Sequence, residues 1–211
     1  MPQSASARPA RFLAIGDSYT IGEGVAAGSR WPDQLVARLH EAGMAIGAAE
    51  IIATTGWTTD ELLAGIEAAG PKPPYALVSL LIGVNNQYRG RSPENYGEEF
   101  AVLLERAIGM ADGEARRVIV LSIPDWGVTP FAAERGTDRA AVSAAIDRFN
   151  AINREQAASR GAHWVDVTGP SREAGRSLLV EDGLHPSAAQ YALWVDRVLP
   201  VAAAILAARE T

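Results

Sequence analysis

The run Ala76-Leu77-Val78-Ser79-Leu80-Leu81-Ile82 is apolar at nearly every position and does not alternate. A strand with one face in water alternates polar and apolar residues. A strand buried on both faces does not, and burial on both faces belongs to parallel sheets covered by helices. This segment therefore requires helices around it, and the chain supplies them. Apolar strands are expected at residues 12–15, 50–53, 76–82, 118–123 and 164–167. Between them lie stretches of helical period. Residues 31–42 place Leu35, Val36 and Leu39 on one face, with Ser29 as the expected cap, and residues 58–68 carry Leu62, Leu63 and Ile66. Pro93 stands near the first turn of a long helix with a stripe of Tyr96, Phe100, Leu103, Leu104 and Ile108. Residues 138–158 show Val142, Ile146, Phe149 and Ile152, and residues 187–199 close the pattern, with Pro200 expected to kink or end the helix.

Such alternation predicts an α/β fold: a doubly wound, mainly parallel five-stranded sheet with helices on both faces, in a flavodoxin-like three-layer arrangement. With 211 residues the chain is long enough to bury a full core, read as a flexible lead over residues 1–10 and a single domain over 11–211. The lead is rich in Ala, Ser and Pro and lacks the apolar stretch of roughly 7–15 residues that a secretory signal needs, so a cytoplasmic address is the default. The best apolar stretch, residues 198–208, falls short of the roughly 20 residues of a membrane span, so no integral membrane segment is expected. A net charge of -6 argues against nucleic acid as a partner, and the absence of cysteine removes disulfides and thiolate metal sites. Oligomeric state is left open.

Two segments carry chemistry. In Phe12-Leu13-Ala14-Ile15-Gly16-Asp17-Ser18-Tyr19-Thr20 an apolar strand breaks into a Gly-Asp-Ser turn. Near the other end, Asp182-Gly183-Leu184-His185-Pro186 sets a carboxylate and an imidazole three residues apart. A hydroxyl, a base and a group to orient that base make a serine nucleophile system. Ligands of open parallel sheets bind beyond the carboxyl ends of the strands. Ser18, Gly56, Asn85, Asp182 and His185 each follow a strand, so one rim can bring them together. Each has a plainer reading: Ser18 and Asp182 as turn formers, Gly56 as a tight turn, Asn85 as a left-handed turn residue, His185 as a cap before the last helix. His40 and His163 have no such company and read as surface or packing residues.

The pattern resembles the SGNH hydrolases, also called the GDSL esterase/lipase family. Gly16-Asp17-Ser18-Tyr19-Thr20 is similar to its nucleophile block, Gly56 to its glycine block, Gly83-Val84-Asn85-Asn86 to its Gly-x-Asn-Asp block, and Asp182-x-x-His185 to its C-terminal pair. The blocks stand in the family's order, and the strand–helix pattern between them spans almost the whole chain. The resemblance implies the SGNH hydrolase fold and a serine esterase, lipase-like or deacetylase-like, working through an acyl-enzyme on a small-molecule ester. Ser18 would be the nucleophile, His185 the base and Asp182 its orienter. The Ser18 and Gly56 N–H groups and the Asn85 amide would hold the oxyanion. No cofactor and no metal is implied. An acyltransferase with the same acyl-enzyme and a non-catalytic binding relic are the alternatives. A metallophosphoesterase lacks its Gly-Asn-His and Asp-x-His here, and a flavin binder would leave Asp182 and His185 idle. One position departs from the pattern: Asn86 stands where the family usually has Asp. Asparagine mimics the acceptor side of that carboxylate but not its charge.

In the rim loops, Trp57, Tyr88, Trp126 and Phe131 either line a pocket or pack loops onto the sheet. The segment from Pro124 to Pro130 is the expected specificity element, and Arg89 and Arg91 read as a solvated loop.

Overall fold

The computed structural model describes residues 9–209. The expected lead falls mostly on residues 1–8, which lie outside the described residues. Strand β1 (Ala10–Gly16) begins at that lead's last position. Four more strands follow: β2 (Ile46–Ala53), β3 (Leu77–Leu81), β4 (Val118–Leu121) and β5 (His163–Val165). All pair in parallel, in the order β2-β1-β3-β4-β5. The central strands β3 and β4 are buried along their whole length, which is why their sequences are uniformly apolar. The edge strand β2 alternates in burial and is rich in Ala and Gly over its first half. That weak signal hid its start, which lies at Ile46 and not at residue 50.

The helices are α1 (Ser18–Ile21), α2 (Trp31–Glu41), α3 (Thr59–Ala69), α4 (Val84–Tyr88), α5 (Pro93–Met110), α6 (Pro130–Glu134), α7 (Arg139–Arg160), α8 (Thr168–Glu173) and α9 (Ala188–Ala207). On one face α2 packs on α9; on the other α3 packs on α5 and α5 on α7. The expected stripe of α5 is buried at Tyr96, Phe100, Leu103 and Leu104, and the Tyr96 ring stacks on Phe149 of α7 at 4.5 Å. Burial of side chains this size contributes about 1.5–3 kcal/mol each, so these contacts hold the layers together.

Two expectations about helix ends are corrected. Ser29 does not cap α2: the N-cap position is Arg30, without a side-chain cap bond. Nor does Pro200 end α9, which continues to Ala207 with the proline inside it. Proline at 200 removes the bond to the carbonyl of Asp196, and both residues are exposed, so the freed oxygen is not sealed in the core. Val195, Val198, Ala202, Ile205 and Leu206 are buried on either side and keep the helix seated. At 20 residues and mean hydropathy 1.2, α9 is long and apolar enough to cross a membrane by length and composition, unlike the shorter stretch expected from sequence. Its apolar side here is the core against α2 and the sheet.

In this strand order the chain leaves β1 toward one edge of the sheet and β3 toward the other. The loops after β1 and β3 therefore diverge and leave a crevice at the carboxyl ends of the strands. Ser18 and Asn85 stand on its two sides.

Candidate active site

Ser18 is the first residue of α1, directly after β1. Asp17 caps that short helix: its Oδ1 accepts the Tyr19 N–H at 3.0 Å. Donors in the first turn of a helix have no intrahelical acceptor. Among the described residues the Ser18 N–H has no partner, and the Ser18 hydroxyl opens into a pocket.

The Asp182–His185 pair is held by a tight turn in which Val180 N–H donates to the His185 carbonyl at 2.9 Å and Ser187 N–H to that of Leu178 at 2.8 Å. Asp182 Oδ1 accepts the N–H groups of Leu184 and His185 at 2.8 and 2.9 Å, leaving Oδ2 to meet His185 Nδ1 at 2.6 Å. Partial burial pushes the Asp182 carboxyl up, but the bonds from the His185 ring, the His185 N–H and the Leu184 N–H outweigh it and hold the group below its ordinary value. An ionised carboxylate only accepts, so in the neutral ring it selects the tautomer with the proton on Nδ1 and the lone pair on Nε2. Tyr19 packs its ring against His185 at 5.8 Å, and Trp194 supports Tyr19 edge-on at 6.0 Å.

Gly56 has φ +90, a conformation other residues rarely adopt, and its N–H has no partner among the described residues. Its carbonyl accepts Arg89 Nη2 at 2.7 Å. Asn85 donates one amide hydrogen from Nδ2 to the Trp57 carbonyl at 2.9 Å; a primary amide has two, so this bond aims the second.

These groups share one pocket of 210 Å³, and Tyr19, Val84, Tyr88, Trp126, Phe131 and Leu184 supply its apolar lining. The structure thus brings Ser18, Gly56, Asn85 and His185 onto one cavity, with Asp182 behind the imidazole. It forms no hydrogen bond between Ser18 and His185. Such bonds often tighten only when substrate is bound. A larger open depression of 780 Å³ lies between the C-terminal ends of α3 and α5, near the amino-terminal end of β3, and holds no nucleophile–base pair. Among the described residues no three His, Asp or Glu side chains converge to hold a metal ion.

Of the rim aromatics, Tyr88, Trp126 and Phe131 line the pocket, whereas Trp57 lies over Gly65 of α3 and packs the loop. Tyr88 meets Trp126 edge-on at 5.3 Å, Trp126 meets Phe131 at 6.2 Å, and Trp126 Nε1 donates to Gln87 Oε1 at 2.7 Å. Phe131 N–H in turn donates to the Gly183 carbonyl at 3.2 Å. Arg89 pairs with Glu61, and Arg91 with Asp60 and Glu99, so both are tied down and not merely solvated. His40 meets the Ile46 carbonyl and His163 is exposed on β5, far in the fold from this pocket. Tyr19, Leu184 and Gln87 were not singled out in the sequence. Their neighbours in the motifs are the only local signal.

Asn86 is fully buried and ties the loop after β3 to the start of α3. Its Oδ1 accepts Thr59 N–H at 3.1 Å, and its Nδ2 donates to Thr59 Oγ1 at 2.6 Å and to Glu99 Oε2 at 3.5 Å. A carboxylate thus stands beside position 86, that of Glu99, itself paired with Arg91. Asn86→Asp should lower stability by about 1–3 kcal/mol, because a buried carboxylate at 86 would face the half-buried Glu99 carboxylate with only the single Thr59 hydroxyl hydrogen to share between them. Denaturant unfolding measures this, and adding Glu99→Gln should recover most of the loss. Equal stability of wild type and Asn86→Asp would refute the account.

Asp17 is buried, and its Oδ2 has no partner. Desolvation raises its pKa to about 7 against the smaller lowering effect of backbone N–H bonds. The folded chain then holds a proton that the unfolded chain releases near pH 4. This group's contribution is intact below that value and is lost as pH rises toward 7. Asp17→Asn keeps the capping acceptor and removes the titration. It should flatten a fall in stability of up to ~1.4 kcal/mol per pH unit across that window. Melting temperatures of both proteins at pH 4 to 8 measure the difference, and parallel curves would refute it.

The chain matches the family model described as GDSL-like Lipase/Acylhydrolase over residues 14–193. A search of the curated proteins finds no match. Among solved structures it is similar to TesA (23% identity, TM-score 0.70, covering 92% of this chain and 99% of that one). It is also similar to the lipase/acylhydrolase from Enterococcus faecalis (19%, 0.69, 92% and 96%) and to the acetylxylan esterase Axe2 from Geobacillus stearothermophilus (18%, 0.69, 93% and 95%). At these identities the likeness is one of fold, and it is the SGNH hydrolase fold. The family match covers every block from the nucleophile turn to the Asp182–His185 turn, and on that ground the chain belongs to the GDSL-like lipase/acylhydrolase family.

Proposed function

We propose that this chain hydrolyses carboxylic esters of short acyl chain through an acyl-enzyme on Ser18. The observation that carries the reading is a single pocket shared by a free serine hydroxyl, an imidazole whose Nδ1 is held by a carboxylate, and three unengaged N–H donors. Ser18 Oγ attacks the acyl carbon as His185 Nε2 takes its proton. The negative charge that develops on the carbonyl oxygen is met by the Ser18 and Gly56 N–H groups and the second amide hydrogen of Asn85. When the tetrahedral species collapses, the bond to the alkoxy oxygen breaks and His185 returns the proton to the departing alcohol. Water then repeats the sequence on the acyl-enzyme and releases the acid. Asp182 keeps the imidazole in the tautomer this requires.

The pocket of 210 Å³ is smaller than the roughly 300–1,000 Å³ of sites for drug-sized ligands, and its walls are aromatic. Acyl groups from acetyl to butyryl suit it. A series of 4-nitrophenyl esters tests both the activity and the pocket: kcat/KM should fall about tenfold or more between butyryl and octanoyl. No cleavage of any member would refute the function, and a rate rising steadily to octanoyl would refute the pocket assignment.

A further inference from the structure

Beside the aromatic pocket lies a second, open groove of 500 Å³, and the two share Thr55. It runs along the segment after α1, where Gly24 packs on Val180, the residue whose N–H meets the His185 carbonyl. The groove thus flanks both the glycine donor at 56, one residue from Thr55, and the turn that carries the base.

Its lining is polar where the first pocket is apolar. Arg30 lies with its stem across Gly22, where a Cβ would approach Arg30 Cγ to 2.5 Å, so only glycine admits it. The Arg30 Nε is buried without a hydrogen-bond partner, and among the described residues the guanidinium makes no ion pair. The arginines of the loop after β3 are by contrast paired: Arg89 with Glu61, Arg91 with Asp60 and Glu99. The terminal nitrogens of Arg30, engaged by no other group among the described residues, are the donors that a ligand in the groove can meet. Across the groove Glu23 accepts a hydrogen bond from the Thr55 hydroxyl, and Thr54 adds another hydroxyl. One cation, one carboxylate and two hydroxyls leave no net charge but offer donors and acceptors side by side. That pattern suits neutral vicinal hydroxyl groups, each of which both donates and accepts.

We infer that this groove is the leaving-group subsite, and that it takes polyhydroxylated alcohols such as a sugar or glycerol. The inference rests on the acyl-enzyme reading above. The acyl chain occupies the aromatic pocket, its carbonyl sits at Ser18, and the polyol lies over Thr55 with its hydroxyls on Arg30 and Glu23. Collapse of the tetrahedral species breaks the bond to the polyol oxygen, which takes the proton from His185 and leaves through the open side of the groove.

The test compares kcat/KM of the purified protein for methyl 6-O-acetyl-glucopyranoside, glycerol monoacetate and ethyl acetate. At least one acetylated polyol should exceed ethyl acetate about ten- to hundredfold, the scale of hydrogen bonds to charged groups. Arg30→Met, which keeps the stem on Gly22, should lower the polyol-to-ethyl ratio about tenfold through KM, and Arg30→Lys should keep part of it. A ratio near one in the wild type, or an equal loss on polyol and ethyl acetates in Arg30→Met, overturns the subsite while leaving ester hydrolysis standing. If none of these acetates is cleaved, the hydrolase reading falls and the subsite with it.

Discussion

Ser18→Ala is expected to lower kcat for ester hydrolysis by about 10⁴–10⁶, the loss seen when a triad nucleophile is removed and only oxyanion donors and binding remain. An organophosphonate probe that labels the wild-type protein at one serine should no longer label the variant. Stability should hardly change, by less than about 0.5 kcal/mol. The hydroxyl makes no hydrogen bond among the described residues, so its removal orphans no partner, and alanine is at home in the first turn of a helix. The cap of α1 comes from Asp17, which the change does not touch. Loss of turnover with an unchanged melting temperature is thus the signature of a nucleophile. A variant that kept most of its turnover would remove Ser18 from that role.

The second large effect is expected at Asn85. Asn85→Ala should lower kcat by about 10²–10³, or roughly 2.7–4 kcal/mol of transition-state stabilisation, as for other missing oxyanion donors. KM should change much less, because the second amide hydrogen meets charge that develops only as the carbonyl becomes tetrahedral. A smaller structural cost of about 0.5–1.5 kcal/mol accompanies it, since the Trp57 carbonyl loses its donor. Asn86→Asp gives the contrast. It should cost stability through Glu99 yet shift kcat less than tenfold, because Asn86 faces Thr59 and Glu99 and does not line the pocket. If Asn86 proved the costly site for turnover and Asn85 the silent one, the oxyanion assignment would be displaced by one residue.

The layered α/β architecture was legible because the central strands are buried on both faces, so their sequences carry no competing pattern. That the candidate residues would lie together was legible because each follows a strand in a short motif, and parallel topology carries all such motifs to one rim. What escaped was weak or non-local. The first half of β2 is Ala- and Gly-rich at a sheet edge, and helices of four or five residues such as α1 and α4 are too short to show a period. Pro200 is a local stop signal overridden by buried contacts on both sides of it. Glu99 stands thirteen residues from Asn86, the partner beside which its carboxylate lies. Arg30 drew no notice, since its unpartnered nitrogen exists only once β2 and the segment after α1 are assembled.

The hydrogen bond from Trp126 to Gln87 has a mechanical meaning. Gln87 and Asn85 lie on the same five-residue helix, α4, so the pocket wall and the oxyanion donor are opposite arms of one lever. An acyl chain that fits leaves the lever at rest. Under the reading proposed above, one that pushes Trp126 outward should pull α4 with it and shift the Asn85 amide, while the far side of Trp126 is braced by Phe131 to the turn that carries His185. Oversized esters should then show slowed turnover as well as weakened affinity. On that reading acyl length would be gauged by the same short helix that carries the proposed oxyanion donor.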